Sequence, residues 1–213
     1  MAKKKTRKGK RQVWNKGKLL GQREPFSPSD VNYIKKLLAE RGDAGLRDLA
    51  LFSTAMDTML RASDLLGLTV KDVRKRNRVM RDTVEVPSAN RGRGVRCTLS
   101  KKTKGLLERW IDQSAKRPGD YLFTRRIGEG SKAISARQLS RLVKTWAEEI
   151  GLDESLYGTE SLRRTRAIYI LDRTGNMEAV RVLLGLKDVG SAARYLGHAQ
   201  PFDALAISRT HEI

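Results

Sequence analysis

The stretch Leu183-Leu184-Gly185-Leu186, with Tyr195 nine positions further on, is one of three segments that set a reactive side chain at the edge of an apolar helical pattern. The second, Ser161-Leu162-Arg163-Arg164-Thr165, opens a helical run just behind Glu160. The third, Leu60-Arg61-Ala62-Ser63-Asp64-Leu65, follows another apolar helical run roughly a hundred residues earlier. Taken singly, each has an ordinary reading. Arg61 beside Asp64 has the make-up of a surface ion pair. Arg163 lies in a basic run with Arg164 and Arg166, any of which could contact phosphate. A lone tyrosine such as Tyr195 commonly packs half-buried.

Around these segments the chain is mainly helical. Ser27-Pro28-Ser29-Asp30 is a helix start, followed by Val31, Ile34, Leu37 and Leu38 at helical spacing. Leu46, Leu49, Ala50, Phe52 and Met56 mark a buried stripe over about 44–59, and a short helix is expected over 62–67. Residues 78–99 differ: Val79, Val84, Val86 and Val95 flank the turn-rich run Pro87-Ser88-Ala89-Asn90-Arg91-Gly92-Arg93-Gly94, which reads as a hairpin or small antiparallel sheet. Helical patterns return over about 101–115, 135–150, 160–174, 176–185, 188–196 and 202–209. The expected fold is α+β and mostly helical, with one small antiparallel sheet.

Composition narrows the partners. A net charge of +20 points to a polyanion, chiefly nucleic acid. The first 24 residues hold many Lys and Arg, among them Lys3, Lys4 and Lys5, and are expected to form a disordered basic arm that contacts DNA, leaving 25–213 as one domain. The stretch from Trp14 to Gly17 could instead tuck against that domain. One cysteine, Cys97, leaves no internal disulfide, and with His198 and His211 it makes no plausible zinc site. No apolar run reaches the length of a membrane span, and the basic N-terminus lacks the apolar stretch of a secretory signal. A reducing cytoplasm is the expected location.

In order and spacing the three segments resemble the tyrosine recombinase, or phage integrase, family. Its boxes read Leu-Arg-x-Ser-Glu-Leu, His-x-Leu-Arg-His-Thr, and Leu-Gly-His with a tyrosine nine positions on. The resemblance spans about 26–210 and implies the family's catalytic-domain fold. It also implies attack of a tyrosine hydroxyl on a DNA phosphodiester, giving a 3′-phosphotyrosine and a free 5′-hydroxyl without metal or nucleotide cofactor. Protein groups must then stabilise the anionic transition state, a task suited to guanidinium forks that stay charged at any working pH. The resemblance casts Tyr195 as nucleophile, Arg61 and Arg163 as phosphate ligands, and Asp64 as the group orienting Arg61.

Three positions depart from the family. Glu160 stands where the second box has histidine, Leu186 where the third has histidine or tryptophan, and Asn90 where a hairpin lysine is usual. Asn90 is no general acid, and Arg91 and Arg93 nearby are poor ones. A carboxylate about 5 Å from the phosphate costs on the order of 3 kcal/mol at an effective dielectric near 20. Glu160 is therefore either a defect or the base that takes the proton from Tyr195. His198, a helical turn past Tyr195, either replaces a lost histidine or begins the final loop.

Two functions follow from this reading. One is a minimal site-specific recombinase acting through Tyr195. The other is a catalytically impaired relative that binds DNA as a regulator or as partner of an active recombinase. Either is expected to oligomerise on double-stranded DNA through its C-terminal segment. A basic RNA-binding protein is the third class, disfavoured because aromatic content of 6% offers little base stacking.

Overall fold

The computed structural model describes residues 22–86, 94–125 and 132–197. Helix α1 (Pro28–Glu40) starts at a reciprocal cap: the Asp30 N–H donates to Ser27 Oγ at 3.1 Å and the Ser27 N–H to Asp30 Oδ2 at 2.8 Å. Ile34 and Leu38, one turn apart, bury its inner face on α2 (Asp43–Thr58). Helix α2 is buried on nearly every side, from Leu46 through Phe52 to Met56, and forms the axis of the fold. It packs on α1, on α5 (Lys101–Gln113) and on α7 (Thr159–Thr174).

Between α2 and α5 lie α3 (Ala62–Gly67), α4 (Val70–Val73) and an antiparallel hairpin of β1 (Thr83–Val86) and β2 (Val95–Thr98). In the hairpin Val84 faces Cys97 on the buried side, while Glu85 faces Arg96 on the solvent side with an ion pair of 3.1 Å. The alternation is what a sheet with one wet face requires. Val79, expected in a strand, lies outside it and is exposed, because the Lys75 N–H closes a tight turn onto Val79 O at 2.9 Å. Helix α4 is an addition to the sequence reading. Its signal was present as Thr69 and Asp72, which cap each other across one turn.

The remaining helices among the described residues are α6 (Ala136–Glu149), α8 (Met177–Leu183) and α9 (Val189–Tyr195), with a 3₁₀ turn at Glu154–Leu156 ahead of α7. Ser100, Ser135, Asn176 and Asp188 each accept a backbone N–H at a helix start. Two apolar clusters result. The larger joins α1–α6 and the hairpin, with Trp146 edge-on to Phe52 at 5.5 Å. The smaller holds Met59, Ala167, Leu171, Val180, Leu184 and Ala192.

Among the described residues the architecture is thus α+β and mostly helical with one two-stranded antiparallel sheet. Of the expected arm, Gln22, Arg23 and Glu24 are docked on the body: the Glu24 N–H donates to Leu156 O at 3.0 Å and the Phe26 ring stacks on Tyr157 at 4.6 Å. The rest of the arm with Lys3, Lys4 and Lys5, the hairpin turn with Asn90, Arg91 and Arg93, and the last segment with His198 and the expected helix over 202–209 lie outside the described residues. Among the described residues no helix is long and apolar enough to cross a membrane.

Candidate active site

The site forms where the smaller cluster meets the end of α2. Met59 caps α2 in a left-handed conformation (φ 50°), turning the chain sharply so that Arg61 becomes the extended residue that starts α3. A left-handed non-glycine residue is strained, and here its carbonyl is put to use. Arg163 Nε donates to Met59 O at 2.7 Å, and Arg163 Nη2 donates to Leu184 O. One guanidinium, only 6% exposed, therefore ties the Arg61 segment to the Leu184-Gly185 segment. The three boxes are joined through Arg163.

Tyr195 ends α9 and lies across this junction. Its ring centroid is 5.3 Å from Arg163 Cζ, and its hydroxyl donates to Glu160 Oε2 at 2.7 Å. Glu160 reaches it from the first turn of α7, a helical turn before Arg163. The phenol is pushed above its ordinary range. Burial is the main cause, the negative Glu160 adds to it, and Arg163 opposes it. Tyr195 is thus a neutral phenol hydrogen-bonded to a carboxylate.

Gly185 brings the hairpin to this centre. It adopts φ +61°, and a Cβ there would lie 2.9 Å from Val95 Cγ2. Only a residue without a side chain lets β2 pass so close to the end of α8. Leu186 next to it packs its side chain on the smaller cluster alongside Tyr195, while its backbone N–H and carbonyl are both used by Arg181. At this position the chain has an apolar side chain in place of a hydrogen-bonding ring.

The other expected residues fall in different places. Arg61 is exposed at the mouth of the α2–α3 bend. Asp64 does not pair with it: its carboxylate sits in the first turn of α3, where the helix dipole favours an acid, and accepts from Ser63 Oγ at 3.3 Å. Arg164 also departs from the expectation of a phosphate contact. It is 8% exposed and turned inward, donating to Arg23 O at 3.0 Å and Leu196 O at 3.3 Å. Arg166 is half-buried, one helical turn after Arg163, with its guanidinium 5.4 Å from the Tyr169 ring. Sequence reading had no signal for the carbonyls of Met59 and Leu184, because any residue carries one. Among the described residues no group of three His, Cys, Asp or Glu side chains could hold a metal ion.

A family model described as "Phage integrase family" matches residues 27–201. Tyrosine recombinase XerC of Actinobacillus pleuropneumoniae serotype 7 is 27% identical over 172 residues, covering 78% of this chain and 53% of that protein. XerC of Corynebacterium efficiens is 30% identical over 156 residues, covering 72% and 47%. The chain thus spans about half the length of the curated relatives it matches. Among solved structures, XerH site-specific recombinase bound to difH substrate in a pre-cleavage complex aligns with a TM-score of 0.70 at 16% identity, covering 90% of this chain and 54% of that one. XerA recombinase aligns at 0.67 and 18% identity, covering 90% and 65%. With the matched model covering all three boxes and the solved structures sharing the fold that joins them, the chain belongs to the phage integrase family of tyrosine recombinases.

Proposed function

We propose that this chain breaks and rejoins DNA at specific sites through a 3′-phosphotyrosine on Tyr195, with Glu160 as the base. The observation that carries this reading is the 2.7 Å hydrogen bond from the Tyr195 hydroxyl to Glu160 beneath the Arg163 guanidinium. A phenol with a raised proton affinity is a weak nucleophile unless its proton leaves as the bond to phosphorus forms. Glu160 is within reach to take it. The Tyr195 oxygen bonds to phosphorus, the bond from phosphorus to the 5′ oxygen breaks, and that oxygen leaves as a hydroxyl with a proton from water. Rejoining reverses each step.

Proton transfer also answers the charge conflict. An ionised Glu160 repels the incoming phosphate, but a Glu160 that has just accepted a proton is neutral at the moment the phosphorus centre carries most negative charge. Arg61 is exposed and Arg163 is held rigidly, so the first is suited to capture phosphate and the second to hold it without reorganisation. The likeness to XerH bound to its difH substrate supports double-stranded DNA as partner, and the likeness to a lambda integrase dimer bound to a COC′ core site supports assembly of more than one copy on it.

A second reading rests on the same phenol. Its raised proton affinity and its carboxylate neighbour also suit a protein that binds DNA and does not turn over, acting as a regulator or beside an active recombinase. Denaturing electrophoresis after incubation with a nicked duplex carrying the DNA site separates the two. A covalent adduct that disappears in Tyr195→Phe supports cleavage. Tight, salt-sensitive binding with no adduct supports the second reading.

A further inference from the structure

The main chain on both sides of Tyr195 is held by groups distant in sequence. Gln22 Nε2 donates to Arg194 O at 2.6 Å. Arg164 Nη2 donates to Leu196 O at 3.3 Å, and its Nη1 donates to Arg23 O at 3.0 Å. Helix α9 has seven residues, too few to hold its last turn firmly unaided, and it closes onto the next two residues, the Leu196 N–H donating to Ala192 O at 3.0 Å and the Gly197 N–H to Arg194 O at 3.1 Å. To this local closure Gln22 adds a second donor at Arg194 O, and Arg164 adds one at Leu196 O, both from far along the chain.

The segment from Gln22 to Phe26 is anchored at its other end. Arg23 Nη1 donates to Ser155 O, the Glu24 N–H to Leu156 O at 3.0 Å, and the Phe26 N–H to Thr165 Oγ1 at 2.8 Å. Thr165 is on α7, the helix that carries Glu160 and Arg163. The segment therefore bridges the helix of the base to the helix of the nucleophile. Gly197 fits the arrangement: it adopts φ +85°, and a Cβ there would lie 2.9 Å from Gln22 Oε1 and 3.4 Å from Arg164 Nη2. Arg164 keeps a buried Nε without a hydrogen-bond partner. A buried guanidinium is costly, and its two bonds go to the two chain segments being joined.

We propose that residues 22–26 and Arg164 form a clasp that sets the position of Tyr195, with Gln22 and Arg164 as positioning residues. The clasp rests on the reading of Tyr195 as nucleophile. It fixes the backbone around the phenol and so keeps the hydroxyl in register with Glu160 and with an incoming phosphorus. Displacement of a reacting group by about 1 Å can slow a reaction up to 10²-fold. Loosening the clasp acts on the rate and leaves DNA affinity alone.

The test uses the full chain carrying fluorotyrosine at position 195, observed by fluorine NMR, in otherwise wild-type protein and in Gln22→Ala and Gln22→Glu. Gln22 is exposed, so both variants should fold, and the second keeps the shape while losing the donor. The expected result is a shifted, broadened resonance in both variants at unchanged thermal midpoint. Adduct formation on the nicked duplex should be about 10-fold slower or more in both, with DNA affinity unchanged in the uncharged Gln22→Ala. A resonance identical to wild type in both variants overturns the clasp. Wild-type protein that forms no adduct overturns the cleavage reading instead, and the resonance still decides the clasp.

Discussion

Tyr195 and Glu160, 35 positions apart in sequence, are joined by a hydrogen bond of 2.7 Å in which the phenol donates to the carboxylate. Burial and the carboxylate keep the phenol protonated, and the phenol gives the carboxylate a donor. Replacing Glu160 by glutamine keeps the shape and removes the base. Adduct formation by Glu160→Gln should fall by about 10²- to 10⁴-fold, while DNA binding holds or tightens because a negative charge beside the phosphate is gone. Quantified adduct yield against time checks this. A faster rate would show the carboxylate to be an obstacle, and Glu160→His should then accelerate cleavage as well.

The same pair fixes a pH dependence of stability. The folded chain holds the Tyr195 proton more tightly than the unfolded chain, whose phenol titrates near the ordinary tyrosine value of about 10. The folded state therefore binds more protons above that pH. The contribution is fully present below about pH 10 and is lost as pH rises through the folded value. Tyr195→Phe lacks the titrating group. Denaturant unfolding of both proteins from neutral pH to about pH 11 should show the wild type losing stability relative to Tyr195→Phe only in the alkaline limb. Parallel curves throughout would contradict the raised phenol.

Arg61 and Arg163 should separate cleanly. Arg163→Ala strands the Met59 and Leu184 carbonyls in a buried place, and hydrogen bonds to a charged group contribute about 1.5–3 kcal/mol each. A loss of roughly 3 kcal/mol or more in urea unfolding is expected. Arg61→Ala removes an exposed side chain and should change stability by less than about 0.5 kcal/mol, yet it should abolish the adduct. Equal destabilisation by the two would mean that Arg61 is structural.

Gly185→Ala meets both a left-handed backbone and a 2.9 Å approach to Val95 Cγ2. The expected cost is about 1–3 kcal/mol. Adding Val95→Ala should recover the steric part and leave the backbone part, so a double-mutant cycle should give a coupling of at least about 0.5 kcal/mol, the lower limit for residues that touch. No coupling would mean that the hairpin does not rest on Gly185.

Removing residues 2–21, with Lys3, Lys4 and Lys5, should weaken DNA binding and flatten the dependence of log K on log salt. The slope should fall by about 0.9 for every phosphate that the arm neutralises. Fluorescence anisotropy titrations at several salt concentrations measure it. An unchanged slope would remove the arm from the interface.

The helices were legible because they rest on local chemistry: the polar cap at Ser27 satisfies the first N–H groups of α1, and apolar spacing names the buried face. The hairpin showed itself through valines on either side of a glycine-rich turn. Leu183-Leu184-Gly185-Leu186 with Tyr195, together with the Arg61 and Arg163 segments, was enough for the family. What these side chains do to one another was not encoded at that range. Asp64 stood beside Arg61 in sequence, but the start of α3 turned it to Ser63. Arg164 looked like one more cation in a basic run, and the turn of α7 that aims Arg163 at the site carries its neighbour inward. The hydrogen bond from Tyr195 to Glu160, the carbonyl partners of Arg163 and the hold of Gln22 on α9 all join residues distant along the chain, through groups whose type says nothing about where they meet. Residue type and spacing determined which chemistry is available. Only tertiary packing decided which groups are hydrogen-bonded to one another, which are buried, and which remain open to solvent.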